Sequence, residues 1–520
     1  MPSNSERPFK WNPRCKRSAI SLHRSSQSAI AENRNFMSTS VRLLKRLFSI
    51  RNLMRALFVL VLLITAWAIF CLEERWRGER LWKAYRDQAV QRGVKMAMQD
   101  VIPPDLPGAE NFAAIPMFQE LFNVPAPGQP APKWFIEARL GELDPPLAVK
   151  NRQQPVLEGY RDLFVERGLV SAPADDAAAA VLTALKLVEP ELRRLREAGK
   201  RPGSKFPVPW EKGFAATLPH LGPIRKTCQL YQLGIRAELA KGNTAEAFQY
   251  FRDGVRLHEA LKNECSLISG LVRLACLRWI EESLVDGDLL SRWTDEQLLQ
   301  IPSALEPVDI TADFAFALAS ERALLNIVYD DAVTRSNRDL VELSAITDVR
   351  YSLFSVSLYP RGWFRLSQLK SNEHFDRTVA HGLQVRTKIP EDPILRSTNY
   401  FQSLPYVIYR AASPAFDNVP KSYAHAQAFH DQVLTACALE RFRRKNQSFP
   451  EKLDALSPEF MAKVPRDPAD GAPMRYRREE QGGFILWSVG LNLIDDGGKT
   501  NPKESSRQQP DWVLQVPGRP

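Results

Sequence analysis

The chain has 520 residues, 44% of them hydrophobic and 25% charged, a globular composition that excludes wholesale disorder, collagen and fibrous repeats. The length predicts roughly two to four domains, since single cores rarely grow past ~250–300 residues. Only one uncharged stretch is long enough to cross a bilayer, so a polytopic membrane protein is excluded too.

The net charge of +10 sits at one end. Residues 1–55 hold twelve bases (Arg7, Lys10, Arg14, Lys16, Arg17, Arg24, Arg34, Arg42, Lys45, Arg46, Arg51 and Arg55) and two acids, Glu6 and Glu32. That is the whole excess, and it leaves 58 bases against 58 acids in the remainder. A duplex-binding protein keeps its basic surface on the folded body, where it tracks phosphates. Nucleic acid is therefore not an expected partner.

Seventeen uncharged residues follow, 56–72, with Arg55 before them and Glu73-Glu74-Arg75 after. At 1.5 Å per residue they span ~26 Å, enough for a hydrocarbon core with Arg55 snorkelling and Trp67 at the interface. The positive-inside rule keeps the basic tail in the cytoplasm, which puts the bulk on the extracytoplasmic side of the inner membrane. The lipid bilayer is then the first expected partner, and a second envelope protein is another. A cleaved signal peptide is the alternative: Ala66 and Ala68 form a small-x-small site, and a start at Met37 gives a short basic region. Cleavage there would leave an apolar stub, and no lipobox precedes Cys71, so an uncleaved anchor is expected.

Six cysteines, Cys15, Cys71, Cys228, Cys265, Cys276 and Cys437, include no CxxC pair, which argues against structural zinc. Buried free thiols are expected in the exported part, with a bridge from Cys228 to Cys265 or Cys276 left open.

Along the chain, a polar helix over 73–92 is predicted to continue the membrane helix. Turn-rich sequence follows to residue 155, with Pro103-Pro104, Pro107-Gly108, the 125–132 cluster and Pro145-Pro146. It is expected to be poor in helix and to dock through Phe112, Met117, Phe118 and Phe122. From 156 to 420 the apolar spacing turns helical. Pro173 lies near a helix start, Val181, Leu182, Leu185 and Val188 share a face, and Gly199 ends the next segment. Helices are predicted over 224–241 and 244–263, with Asn243 as N-cap and Glu246 closing a capping box. Ala237, Gly242-Asn243, Ala247 and Phe251 make this hairpin resemble one tetratricopeptide unit. It departs at Gly254, and no second copy occurs at a period of 34, so an ordinary antiparallel helix pair is the better reading. Further helices are expected over 267–284, 295–301 (Thr294 as N-cap, Gln297 completing the box), 310–328, 338–347 and 402–412, while the aromatic stretch 351–364 is left open between loop, strand and groove lining.

The last hundred residues, 421–520, predict a helix over 422–445, a break at Asn446-Gln447-Ser448-Phe449-Pro450, a short helix over 451–456 and strands over 474–478 and 484–489. Two short strands need the helix across one face, so a small α+β unit is expected. Ala438-Leu439-Glu440-Arg441-Phe442-Arg443, Ser448-Phe449-Pro450, Leu453-Asp454-Ala455-Leu456, Val464-Pro465-Arg466-Asp467-Pro468, Arg475-Tyr476 and Ser488-Val489-Gly490 resemble the C-terminal part of type II secretion major pseudopilins. The likeness covers some 75 to 90 residues. The chain departs from that family in having its membrane helix roughly 350 residues upstream and no prepilin-peptidase Gly-Phe beside it. The layout as a whole is similar to large membrane-anchored proteins of planctomycete and verrucomicrobial bacteria. The pseudopilin resemblance implies a calcium loop, here 490–498, with Asn492, Asp495, Asp496 and Asp511 as oxygen donors. Leu493, Ile494 and a long basic insertion over 499–509 depart from it; a capped acidic turn without metal is the plainer expectation.

Known catalytic patterns are missing from the sequence. His425 and His430 are five apart on a predicted helix, ~140° from one another, so they make no two-His metal face. There is no nucleophile elbow, Walker motif or dinucleotide loop. Glu373-His374-Phe375-Asp376 has acid/base residue types in a predicted loop, and Glu321-Arg322 reads as a solvated or salt-bridged pair. The expected architecture is mainly α: a basic tail (1–55), one transmembrane helix (56–72), a Pro-rich segment (73–155), a helical domain (156–420) and the α+β module (421–520). The expected role is structural or interaction-based at the envelope. The rivals are an envelope hydrolase using Glu321, His374 and Asp376, and a secretion-system accessory.

Overall fold

A computed structural model describes residues 50–123, 132–144, 149, 154–171, 175–334, 359–383, 392–501 and 508–518. The tail through residue 49, the Pro clusters at 125–131 and 145–146, Pro173, the predicted helix 338–347, the aromatic residues 351–358 and part of the basic insertion (502–507) lie outside the described residues. The chain divides into two units, Met1–Glu74 and Arg75–Pro520.

The protein is mainly α, with a small antiparallel sheet near its C-terminus. The first helix, α1, runs over Ile50–Gln91 without a break. Its apolar part contains an 18-residue window of mean hydropathy 2.5, none of it buried; Phe58 is 65% and Leu63 63% exposed. By length and composition this stretch can serve as a membrane anchor or a signal sequence.

Among the described residues of the larger unit, the helices of ten or more residues are α2 (Val156–Glu166), α3 (Ala177–Lys186), α4 (Glu189–Gly199), α5 (Leu221–Ala240), α6 (Thr244–Glu259), α7 (Leu267–Val285), α8 (Asp295–Leu305), α9 (Ile310–Thr334), α10 (Arg361–His381), α11 (Val407–Asp417) and α12 (Val419–Asn446). The centre is α5, α6 and α7, packed on one another, with α12 laid across α7 and α8. Ala237, Ala247 and Phe251 are fully buried in the α5–α6 hairpin. Gly254 lets α6 approach α7 closely, since a Cβ there would crowd the end of the Ile280 side chain. Thr294 and Gln297 form the predicted capping box. Asn243 does not: its side chain donates to Glu238 at 2.8 Å instead of capping α6. The predicted helix 402–412 is broken and shifted, because Pro405 turns Leu404–Tyr406 into a 3-10 turn before α11 begins. The short helix expected over 451–456 is only a 3-10 turn, Leu453–Leu456.

Phe112 and Phe118 of the Pro-rich segment are buried, with Met117 and Phe122 packed partly against the same core. Phe122 and Phe206 stack on either side of His220. Cys228, Cys265, Cys276 and Cys437 are buried free thiols. Burial pushes the Cys228 thiol well above its ordinary value, and the Cys276 thiol hydrogen-bonded to it adds to the effect.

The C-terminal sheet has three strands, not two: β1 (Arg475–Arg478), β2 (Phe484–Ser488) and β3 (Trp512–Val516), in the order β1-β2-β3, all antiparallel. β2 is buried along its whole length. α12 packs on the sheet, and Gln432 of that helix donates to the Trp512 carbonyl at 2.7 Å. Across the other face folds the 490–498 loop, where Gly498 (φ +75°) presses against Ile485 and Trp487.

Candidate functional site

In the larger unit, α1 offers a buried stripe of Gly78, Trp82 and Ala89, with Tyr85 half-buried beside it. The spacing of four, three and four residues is one helical face. At Gly78 the backbone approaches α10 so closely that a Cβ would overlap the Gly362 carbonyl oxygen. Trp82 and Ala89 pack with Met96, and Tyr85, Val94 and Leu369 close the cluster.

Below this seat, α9 and α10 meet through polar groups. Asn372 and Gln368 donate to Asn326 Oδ1 at 2.8 and 3.2 Å, and Tyr329 and Ser371 share a 2.9 Å hydrogen bond. A separate cluster gathers on Asp376 of α10. Its Oδ2 accepts from the Tyr85 hydroxyl at 2.8 Å and from Arg92 Nη2 at 3.0 Å; its Oδ1 pairs with Arg322 Nη2 at 2.8 Å. Burial, reinforced by this carboxylate, raises the Tyr85 phenol far above its ordinary range, so it remains a donor. Arg322 is 4% exposed and lies over the Phe375 ring. Its Nε and Nη1 have no hydrogen-bond partner.

Asp376 stands between two clefts. One, about 620 Å³, is lined by Tyr85, Gln88, Gln91, Arg92, Glu373 and Arg377. The other, about 360 Å³, lies on the Arg322 side, with Arg92, Lys95 and small apolar residues in its wall. Asp376→Asn keeps the shape but leaves Arg322 charged and buried, so it is expected to lower stability by about 2 kcal/mol, read as a fall in Tm. An unchanged melting curve would refute this account of the cluster.

The three residues of the hydrolase expectation do not share a site. Glu373-His374-Phe375-Asp376 lies inside α10, not in a loop, and two residues along a helix place His374 and Asp376 ~200° apart. His374 instead faces Asp417 (Nε2 to Oδ1, 3.3 Å) and the Tyr409 hydroxyl (3.4 Å from Nδ1). Burial lowers its pKa, with Asp417 acting in the opposite sense. Glu321 and Arg322 are not a solvated pair either: Arg322 goes to Asp376, and Glu321 accepts the Leu267 N–H at 3.2 Å at the start of α7.

Burial pushes the Glu321 carboxyl up to about 7, against the Leu267 hydrogen bond. The folded protein thus holds this proton more tightly than the unfolded chain, and the group's contribution to stability falls as pH rises from about 4.5 to about 7. Glu321→Gln keeps the acceptor and removes the charge. It is expected to stabilise the protein by about 2 kcal/mol at pH 8 and to be neutral near pH 4; equal gains at both pH values, in melting curves, would exclude this origin.

The oxygens of the acidic loop are taken up by nearby donors. Asp495 accepts from Trp487 Nε1 (2.9 Å), Arg475 Nε (3.1 Å) and the Gly497 N–H (3.0 Å). Asp511 accepts the Gly498 N–H at 2.8 Å, and Asn492 donates to Asp496 at 2.8 Å. Among the described residues, no group of three or more His, Cys, Asp or Glu converges in a way that could hold a metal ion. Sequence reading missed the Tyr85–Arg92–Arg322–Asp376 cluster, whose only forerunner in the sequence is the 78/82/85/89 spacing. The chain matches no protein-family model, and comparison with curated proteins and with solved structures returns no match.

Proposed function

We propose that this is a single-pass membrane protein whose helical body is held at the extracytoplasmic face of the inner membrane and serves as a structural or binding component of the envelope. One observation carries the reading: the exposed apolar stretch and the buried 78/82/85/89 stripe belong to one unbroken helix. Cleavage after Ala68 would leave an apolar stub, Ile69–Leu72, on a helix that continues into the mature fold, whereas an uncleaved anchor leaves none of it in water. The twelve bases before the apolar stretch set the orientation. The C-terminal helix on its sheet favours a second reading, an accessory that meets pseudopilin-like assemblies through that module. The full chain should resist carbonate extraction, and a reporter at residue 520 should be active only outside the cytoplasm. A carbonate-soluble chain or a cytosolic reporter would end the proposal. For the second reading, cross-linking from the exposed Ile494 should capture a pilin-like subunit in cells; recovery of the chain without one counts against it.

A further inference from the structure

We propose that the exposed face of α1 just past its apolar stretch, built from Trp76, Arg80 and Lys83 with Arg75 beside them, binds the headgroup of an anionic phospholipid. On the side of α1 away from the buried 78/82/85/89 stripe, Ile69, Leu72, Trp76, Arg80 and Lys83 follow one another three or four residues apart, which is one face of a helix. All five are exposed, and Trp76 is 63% so. Their character changes in order along the axis: two aliphatic side chains, an indole, then two cations. A bilayer changes in the same order, from hydrocarbon to interface to phosphate. One turn of helix, about 5–6 Å, separates Leu72 from Trp76, and that matches the depth of the polar layer on one side of a bilayer.

Arg80 is already turned toward that layer. Side chains on an α-helix lean toward its N-terminus, and the Arg80 guanidinium carbon lies 4.6 Å from the centre of the Trp76 ring. A guanidinium stacked on an indole keeps its N–H edges for phosphate oxygens. Arg80 and Lys83 enter no ion pair among the described residues. The neighbouring acids are mostly committed: Glu79 is held by Arg365 at 3.0 Å, Glu74 is buried, and Asp87 lies 3.8 Å from Arg86. Exposed Glu73 stands against Arg75, Arg80 and Lys83, so an excess of positive charge remains. A zwitterionic headgroup carries its own ammonium, which that excess repels. An anionic headgroup does not, and each base close to such a surface adds about fivefold in affinity. This proposal rests on the membrane reading, because in water the same residues are an ordinary solvated helix face.

The test reconstitutes the full chain in vesicles of equal phosphatidylcholine and phosphatidylglycerol, with one lipid or the other brominated in its acyl chains to quench nearby indoles. The difference between the parent and Trp76→Phe isolates the Trp76 signal. Brominated phosphatidylglycerol is expected to quench Trp76 at least about twofold more than brominated phosphatidylcholine does. Arg80→Gln combined with Lys83→Gln changes exposed side chains only; it should leave Tm within a degree or two of the parent yet make the two lipids quench equally. Equal quenching in the parent overturns the proposal, and so does a preference that the double variant keeps. Trp67, isolated in the same way with Trp67→Phe, separates the two readings. If neither lipid quenches Trp67, the membrane reading fails and the headgroup site with it. If Trp67 is quenched while Trp76 shows no preference, the headgroup site alone is refuted.

Discussion

Arg273→Ala is expected to be the most damaging single change in the helical core, costing about 3–5 kcal/mol. Arg273 is 2% exposed in α7. It pairs with Glu259 at 2.5 Å and with Asp313, and its Nε donates to the His258 carbonyl at 3.2 Å. His258, itself fully buried, returns a 3.0 Å hydrogen bond from Nδ1 to the Arg273 carbonyl. One guanidinium thus joins α6, α7 and α9, and its removal leaves the buried Asp313 without its cation, beside Glu259, which keeps Lys262. Asp313 already has its pKa raised by burial, with Arg273 as the main opposing influence. Without that cation the pKa rises further, so the folded state binds the proton more tightly and stability falls as pH increases. The gap between variant and parent in Tm should therefore shrink as pH is lowered toward 4. Asp313→Asn in the Arg273→Ala background should recover part of the loss. A loss under about 1 kcal/mol, or one independent of pH, would show that the triad does not hold these helices together.

The second large effect is expected at Asp467, where the cost is confined to the C-terminal module. This carboxylate is fully buried. Oδ1 accepts from the Ser488 hydroxyl (2.7 Å) and the Ala469 N–H (2.9 Å); Oδ2 accepts from the Val489 N–H (3.0 Å) and Arg475 Nη1 (2.8 Å). It ties the Pro465–Pro468 turn to the end of β2 and the start of β1. Asp467→Ala orphans two backbone N–H groups and the Ser488 hydroxyl, a loss of about 3–4 kcal/mol, while Arg475 keeps Asp470 and Asp495. Asp467→Asn should be nearly as harmful, because an amide NH₂ would then face donors rather than acceptors. Hydrogen exchange is the suitable readout: amides of Phe484–Ser488 should lose protection while those of α5 and α7 keep theirs. Retained protection in β2 would contradict the assignment.

Asp467 also shows how far a sequence can be read. The Val-Pro-Arg-Asp-Pro string was visible as a motif, but nothing local says that its one acid is buried with four donors around it; those come from residues 469, 475, 488 and 489. β3 was missed for a related reason. Trp512–Val516 alternates buried and exposed positions as a strand should, yet five residues after a long polar insertion look like a tail until β2 is there to pair with them. Ser488 of β2 pairs with Trp512 at the start of that strand.

The helices were legible because their signals are local. Apolar spacing gave α5, α7, α9 and α12 to within a few residues at most ends, and Thr294 with Gln297 marked the start of α8. The apolar stretch in α1 and the charge asymmetry before it were equally plain, since both are properties of contiguous residues. Asp376 was not legible in this way. The sequence placed it beside His374 as a candidate acid; being two positions apart on α10 sends the two to opposite sides, and the partners of Asp376 come from residues 85, 92 and 322. Periodicity and composition, then, determined which segments are helical and which can enter lipid, because those depend on the chain's own neighbours. Which buried charges meet, which donors stay unsatisfied and where a cleft opens depended on segments hundreds of residues apart, and only packing in three dimensions decided them.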